Sequence, residues 1–205
     1  MSEETIESLQ RELRLMKLRR QVTPHFLFNC LSVATSLVLT RPKTAVKFLR
    51  GVAEMYRYLL RFGDEYTVPV EQEVTMMKQY FGLMSLRHVG CLRLHISPSV
   101  KKLKGYPLPP LCLQGLVENA IKHNAHTPEK PLTIKVDTDG EWLSVSNDIQ
   151  PLTSANAPST HLGLSYMDET MMLLFDKHIN VNKSENIFEV KLPLIINSHG
   201  DKVKG

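Results

Sequence analysis

The chain has 205 residues, 42% of them hydrophobic, a length that allows one large domain or two small ones and a composition that excludes disorder as the dominant state. Its 25 basic and 21 acidic residues leave a formal charge of +4, too small and too evenly spread to point to a nucleic-acid binder. Cys30, Cys91 and Cys112 stand far apart without paired metal-ligand spacing and read as reduced thiols of a cytosolic protein. No apolar run approaches the about 20 residues that cross a bilayer, and no basic-then-apolar signal pattern opens the chain. The sequence therefore reads as soluble, and as a fragment if anything, since Met1 leads almost directly into a helical pattern.

Ile6, Leu9, Leu13 and Met16 alternate three- and four-residue steps among polar residues, the seam of a short coiled coil. From Phe26 to about Leu39 a helical pattern puts Leu27, Leu31, Ala34 and Val38 on one face and His25, Asn29, Ser32 and Ser36 on the other. Pro24 either kinks a continuous helix or begins a new one, so His25 falls in the first turn after it. Arg41-Pro42 breaks the pattern, and Ala45, Phe48, Leu49, Val52, Tyr56 and Leu59 mark a second amphipathic helix ending near Gly63. Such a hairpin has too little core of its own. Two copies closing into a four-helix bundle would bury both apolar faces, which predicts a homodimer.

A further helix is predicted from Val70 to Arg87, carrying Val74, Met77, Tyr80, Phe81 and Met84. The texture then changes to short alternating strands at Leu92–Ile96, Leu132–Val136, Trp142–Val145, Ile179–Val181 and Ile187–Leu194. Asp139-Gly140 is a strong hairpin signal between two of them. Helices from about Pro109 to Asn124 and from Gly163 to Phe175 are interleaved, and the segment from Asp148 to Thr160 reads as a mobile loop. The fold class is α+β: a helical hairpin over residues 1–66, then an α/β sandwich over 67–205 with helices on one face of the sheet.

The segment Gln21-Val-Thr-Pro-His-Phe-Leu-Phe-Asn29 resembles the signature around the phosphorylated histidine of the LytS/YehU-type sensor histidine kinases. A second block, Pro109-Pro-Leu-Cys-Leu-Gln-Gly-Leu-Val-Glu-Asn-Ala-Ile-Lys-His123, is similar to that family's N-box, the helix that holds ATP and magnesium. Arg57-Tyr58 and the stretch from Tyr80 to Arg87 fit weaker family positions between the two, so the resemblance runs in order from about Leu15 to Leu194. It implies a dimerising, histidine-bearing hairpin followed by a Bergerat-type ATPase domain, with ATP and Mg2+ as cofactors. It further implies a response regulator as partner, of LytTR type as in the family, no direct nucleic-acid contact, and membrane attachment only through a sensor region outside this chain. The expected location is the cytoplasmic side of the inner membrane.

His25, on the polar face, suits the acceptor role that the resemblance gives it. A neutral imidazole nitrogen has a free lone pair near neutral pH and attacks a γ-phosphate in line without first losing a proton. On spacing alone, an ordinary solvated histidine is the better reading; the motif reverses it. In the N-box pattern Leu113, Leu116, Val117, Ala120 and Ile121 form the buried stripe, while Glu118, Asn119 and Lys122 point elsewhere. By resemblance Asn119 would bind magnesium through its side-chain oxygen, Glu118 would orient a water or assist magnesium hydration, and Lys122 with His123 would approach the phosphates. Without the resemblance, Glu118 and Lys122 are a surface ion pair worth little.

The nucleotide boxes depart from the family pattern. Asn147 stands where an Asp receiving the adenine amino group is expected, Ile149 replaces a glycine, and the second box keeps only Gly163-Leu164, with Tyr166 and Thr170 at positions of a common Asn and Arg. Two readings follow: an ATP-dependent autokinase that passes phosphate from His25 to a regulator aspartate, or a weakly active or inactive relative acting as a dimeric signalling scaffold.

Overall fold

The computed structural model describes residues 23–62, 65–152 and 162–195, with side chains from Cys30 onward in the first helix. The coiled-coil pattern from Ile6 to Met16 lies outside the described residues. Helix α1 spans Thr23–Thr40 and α2 spans Pro42–Phe62. They are joined by Arg41 alone, because Pro42 biases the residue before it away from helical geometry while itself fitting a helical first turn. The turn closes with the Arg41 N–H donating to the Leu37 carbonyl at 2.7 Å and the Arg41 carbonyl accepting from Ala45 at 3.0 Å.

The hairpin buries part of the predicted stripe, Ala34 on α1 and Ala45, Phe48 and Val52 on α2, and leaves part of it exposed. On α1 the inward residues are Cys30, Ala34 and Leu37, while Leu31 and Val38, predicted on the apolar face that a second copy would cover, are 49% and 52% exposed. On α2 Ala45, Phe48, Val52 and Met55 are buried, and Leu49 and Tyr56 are exposed. Both helices have apolar residues on two faces, and the core of this same chain takes one of them.

Helix α3, Val70–Arg87, has the predicted bounds and packs between the hairpin and the rest. Its contact with α2 is close: a Cβ on Gly51 would collide with the Leu83 side chain. A two-residue ribbon, not predicted, pairs β1 (Val68–Pro69) antiparallel with β3 (Pro107–Leu108). A proline in each strand limits its hydrogen bonding and keeps it short.

The sheet is five-stranded in the order β2-β4-β5-β7-β6, with β2 at Leu92–Ile96, β4 at Leu132–Thr138, β5 at Trp142–Asp148, β6 at Asn180–Lys183 and β7 at Ile187–Pro193. Among the described strand pairs only β2 and β4 run parallel, and parallel neighbours need a long crossover. That crossover carries a 3-10 turn at Val100–Lys102, β3 and helix α4, Cys112–His123. Helix α5 spans Leu162–Phe175. The β4–β5 hairpin turns on Asp139-Gly140: Gly140 sits at φ 96, and the Asp139 Oδ1 accepts from the Glu141 and Trp142 N–H groups at 3.0 and 2.7 Å.

Alternation does the rest. Leu132, Ile134, Val136, Leu143, Val145, Val190 and Leu192 face the helices and are buried, whereas Lys135 and Asp137 on the other face meet water. The expected mixed architecture with helices on one face is therefore present, and one buried cluster runs from Cys30 through α3 and α4 to Leu194. Two expectations are corrected. Strand β5 runs on to Asp148 and pairs with β7 throughout, so Asn147 lies inside the strand rather than after it. The start of the predicted loop is tied down, with Ile149 N–H donating to the Asn186 carbonyl and Gln150 N–H to the Asn124 Oδ1, both at 2.8 Å. Residues 153–161 lie outside the described set.

His88, just past α3, meets His126 beyond α4. The Asn124 carbonyl can only accept, so His126 Nδ1–H donates to it at 2.9 Å, leaving His126 Nε2 to accept from His88 Nδ1–H at 3.0 Å. Burial first, then His126 and the Arg87 charge, push the His88 imidazole down to about 4. The unfolded chain thus takes up a proton near pH ~6.5 that the folded chain refuses until about pH 4, so stability is full above the first value and falls across that window. Urea melts between pH ~7.5 and ~4.5 should show this loss, and His88→Gln should flatten it; an unchanged slope in the variant would assign the effect to another group.

Candidate functional site

Four of the predicted site residues, Glu118, Asn119, Lys122 and His123, lie on α4, whose seating begins with a strained residue and a buried acid. Leu111, immediately before the helix, adopts φ 65 and ψ 10, a left-handed conformation costing a leucine about 1–2 kcal/mol. This is why α4 starts at Cys112 and not at Pro109 as predicted. No side chain of its own caps the helix. Its free N–H groups go instead to Glu73 of α3, a fully buried carboxylate. Leu111 N–H donates to Oε1 at 2.7 Å and Leu113 N–H to Oε2 at 3.1 Å. The Tyr58 hydroxyl of α2 donates to Oε1 at 2.7 Å, and the Cys112 thiol lies 3.4 Å from Oε2.

Burial pushes the Glu73 carboxyl up, and these four donors pull it back without overcoming burial. The same burial, reinforced by the Glu73 charge, raises Tyr58 and Cys112 far above their ordinary values. A negative group at a helix N-terminus also meets the positive end of the helix dipole.

The other end of α4 is held as firmly. Asn124 is buried, its Nδ2 donating to the Ala120 carbonyl and its Oδ1 accepting from Gln150 N–H, each at 2.8 Å. Gln150 Nε2 reaches the Pro131 carbonyl at 3.3 Å, and the Gln150 carbonyl accepts from Ala125 at 2.8 Å. One asparagine thereby joins the helix to the exit of β5.

Between these anchors Leu113, Leu116, Val117, Ala120 and Ile121 are buried as predicted, Glu118, Asn119 and His123 are half-buried, and Lys122 is exposed. Gln114, one turn before Glu118 and itself buried, donates from Nε2 to Glu118 Oε2 at 2.7 Å and also bonds the Tyr80 hydroxyl of α3. Gly163, at the start of α5, lies against Asn119: a Cβ built there would stand 3.5 Å from Nδ2 and 3.7 Å from Oδ1. Leu164 beside it is half-buried against the core.

Asn147 is buried on the helix-facing side of β5, and its Nδ2 donates to the Asp148 carbonyl at 2.8 Å, leaving Oδ1 as its remaining acceptor. Thr170 is buried, its hydroxyl donating to the Tyr166 carbonyl at 2.8 Å. His25 lies in the first turn of α1; its side chain and that of Asn29 are outside the described set.

Cys30 of α1 is buried in the same cluster as the core residues of α3 and α4. The Cys30 thiol is pushed up to about 11 by burial, with the Glu118 charge adding to the rise and Arg87 opposing it. Through Gln114, Glu118 is tied to Tyr80 of α3. Among the described residues no cluster of three or more His, Cys, Asp or Glu is arranged to hold a metal ion, and no helix is long and apolar enough to cross a membrane.

Glu73, Gln114, Asn124 and Gln150 were not singled out in the sequence. For Glu73 a signal exists: Val70, Glu73, Met77 and Tyr80 fall at helical spacing on one face, so an acid sits in the middle of a core stripe. Asn124 and Gln150 carry no such signal, because they are partners only in three dimensions.

Residues 13–92 match the family model described as histidine kinase, a stretch that holds His25, Tyr58 and Glu73. Over 193 residues the chain is 29% identical to the sensor protein kinase HptS of Staphylococcus aureus strain USA300, covering 87% of this chain and 37% of the relative. HptS of strain MRSA252 gives the same identity and coverage. The chain therefore spans little more than a third of the length of these relatives. Among solved structures the histidine kinase AdeS of Acinetobacter baumannii aligns at 14% identity over 92% of this chain and 97% of that one, with a TM-score of 0.40. The hairpin segment carries the histidine kinase pattern, and similarity to sensor kinases extends over most of the chain.

The joint at Asn124 makes a testable claim about how α4 is held. Asn124→Ala leaves a buried Gln150 N–H without its acceptor and should lower stability by about 1–3 kcal/mol, with faster amide exchange at Gln150. A variant as stable as the unmodified chain would mean that α4 is seated by its apolar face alone.

Proposed function

We propose that this chain is the kinase core of a LytS/YehU-type sensor histidine kinase, which phosphorylates His25 from ATP and passes the phosphate to an aspartate of a response regulator. One conjunction carries the reading: the histidine kinase match over residues 13–92 has His25 in the first turn of α1, and the same helix contributes Cys30, Ala34 and Leu37 to the buried cluster that α3 and α4 also line. In this reading residues 1–66 form the coiled coil and histidine-bearing hairpin, and 67–205 a linker helix and a Bergerat-type ATP-binding domain.

The side chains around α4 suit the cofactors. Magnesium prefers hard oxygen ligands, which the Asn119 amide and the Glu118 carboxylate offer. Lys122 and His123, in the last turn, would face the phosphates, and Gly163-Leu164 would close over them beside Asn119. ATP, once bound, supplies the phosphoryl group. A His25 ring nitrogen then donates its lone pair to the γ-phosphorus as the bond to the bridging oxygen breaks and ADP leaves. Glu118, steadied by Gln114, would orient the imidazole or a water.

The surviving exposed stripe of the hairpin supports a homodimer. Leu31, Val38, Leu39, Val46, Leu49, Tyr56 and Leu60 remain on the surface after this chain has filled its own core. A regulator of LytTR type, and a cytoplasmic position at the inner membrane through a sensor region outside this chain, complete the proposal. One observation favours the second reading, a weakly active or inactive signalling scaffold. Asn147 offers adenine a neutral oxygen in place of a carboxylate, while one of its amide N–H groups bonds the Asp148 carbonyl.

Incubation with γ-labelled ATP tests the first reading: the chain should take up acid-labile, alkali-stable label, and His25→Gln should lose all of it while still binding nucleotide. Equal labelling of the variant would remove His25 from the mechanism. Nucleotide titration calorimetry with magnesium should show weak binding, lost on Asn119→Ala. Asn147→Asp should tighten it about tenfold, the difference between a charged and a neutral acceptor. A weaker Asn147→Asp protein would mean that adenine is recognised elsewhere.

A further inference from the structure

Three segments distant in sequence converge on one carboxylate. Tyr58 belongs to the hairpin, Glu73 to α3, and the Leu111 and Leu113 N–H groups to the entrance of α4. The hairpin is therefore bonded to the start of the helix that carries Glu118 and Asn119 through a single side chain. We propose that Glu73 is a positioning residue for α4 and that the Tyr58 hydroxyl makes it a coupling joint, by which the position of the histidine-bearing hairpin sets the seating of α4 and a ligand at α4 sets the hairpin in return. The proposal deepens the reading of α4 as the nucleotide helix and rests on it.

The joint has a physical basis for two positions. A left-handed leucine persists only where its surroundings hold it, and at Leu111 the hold is the bond to Glu73 Oε1, the same oxygen that Tyr58 bonds. Tyr58 lies near the end of α2 and packs on Phe62 with ring centroids 4.9 Å apart, so a shift or rotation of that helix end moves its hydroxyl directly. A buried carboxylate that loses one donor must take more from the others or move towards water. Either response changes the bonds to Leu111 and Leu113. Released, Leu111 is free to return to right-handed geometry and shift the start of α4. Coupling of this kind is reciprocal, so nucleotide at α4 must act on Tyr58 as strongly as the hairpin acts on α4.

Tyr58→Phe in the full chain tests the joint, because it removes one oxygen and keeps the ring in place. Without nucleotide, amide exchange should rise about tenfold at Leu111–Leu113, the loss of one charge-assisted bond, while strands β4 and β5 exchange as before. With magnesium-ATP, the unmodified chain should gain protection both in α4 and around Tyr58–Phe62, and the variant in α4 only. Unchanged exchange at Leu111–Leu113, or a rise shared equally by the strands, would overturn the joint and leave Tyr58 as ordinary packing. If magnesium-ATP protects nothing in the unmodified chain, the nucleotide reading fails instead, and the nucleotide-free comparison still decides whether Tyr58 holds α4 through Glu73.

Discussion

A carboxylate cut off from water is costly unless donors replace its hydration, and Glu73 meets that condition with bonds from two backbone amides, a hydroxyl and a thiol. None of these donors is a cation, so the charge is held by dipoles rather than paired. That choice has a structural consequence. An arginine partner would satisfy the acid alone, whereas backbone amides at a helix entrance satisfy it only if the chain follows one path there. Glu73 thereby requires Leu111 to be left-handed, sets the first residue of α4, and fixes the distance between α3 and α4. The short β1–β3 ribbon lies at the same corner, with Val70 N–H donating to the Tyr106 carbonyl at 2.8 Å.

With its entrance held by Glu73 and its exit by Asn124 and Gln150, α4 is a clamped element across the sheet. The polar residues between the clamps inherit that precision. Gln114 steadies Glu118, and α5 begins at Gly163 beside Asn119. Sites supported by such outer contacts hold their geometry better than sites on loops. The His88–His126 contact adds a second tie between α3 and the chain beyond α4.

The hairpin shows how one helix can serve two surfaces. The Cys30–Ala34–Leu37 side of α1 is committed to the core of its own chain, and the Leu31–Val38 side is left over. A pattern with two apolar faces cannot say which partner takes which. Here the nearer surface, α3 and α4, takes the one that places Cys30 within reach of the Glu118 charge.

Where periodicity and turn chemistry are local, the sequence by itself determined the outcome: the bounds of α3, the five strands, the Asp139-Gly140 hairpin and the buried stripe of α4 all follow from patterns a few residues long. The segments around His25 and from Pro109 to His123 likewise stood out as residue order. The tertiary structure decided what depends on partners far along the chain. The spacing of Glu73 within a core stripe marks it as buried, but its partners Leu111 and Leu113 are brought to it from about forty residues away. Asn147 belongs to β5 because β7 pairs with it, and the strand therefore runs past the point where its apolar alternation fades. Local preferences are read from neighbours in sequence, but a buried polar group is settled only by whatever the fold sets opposite it.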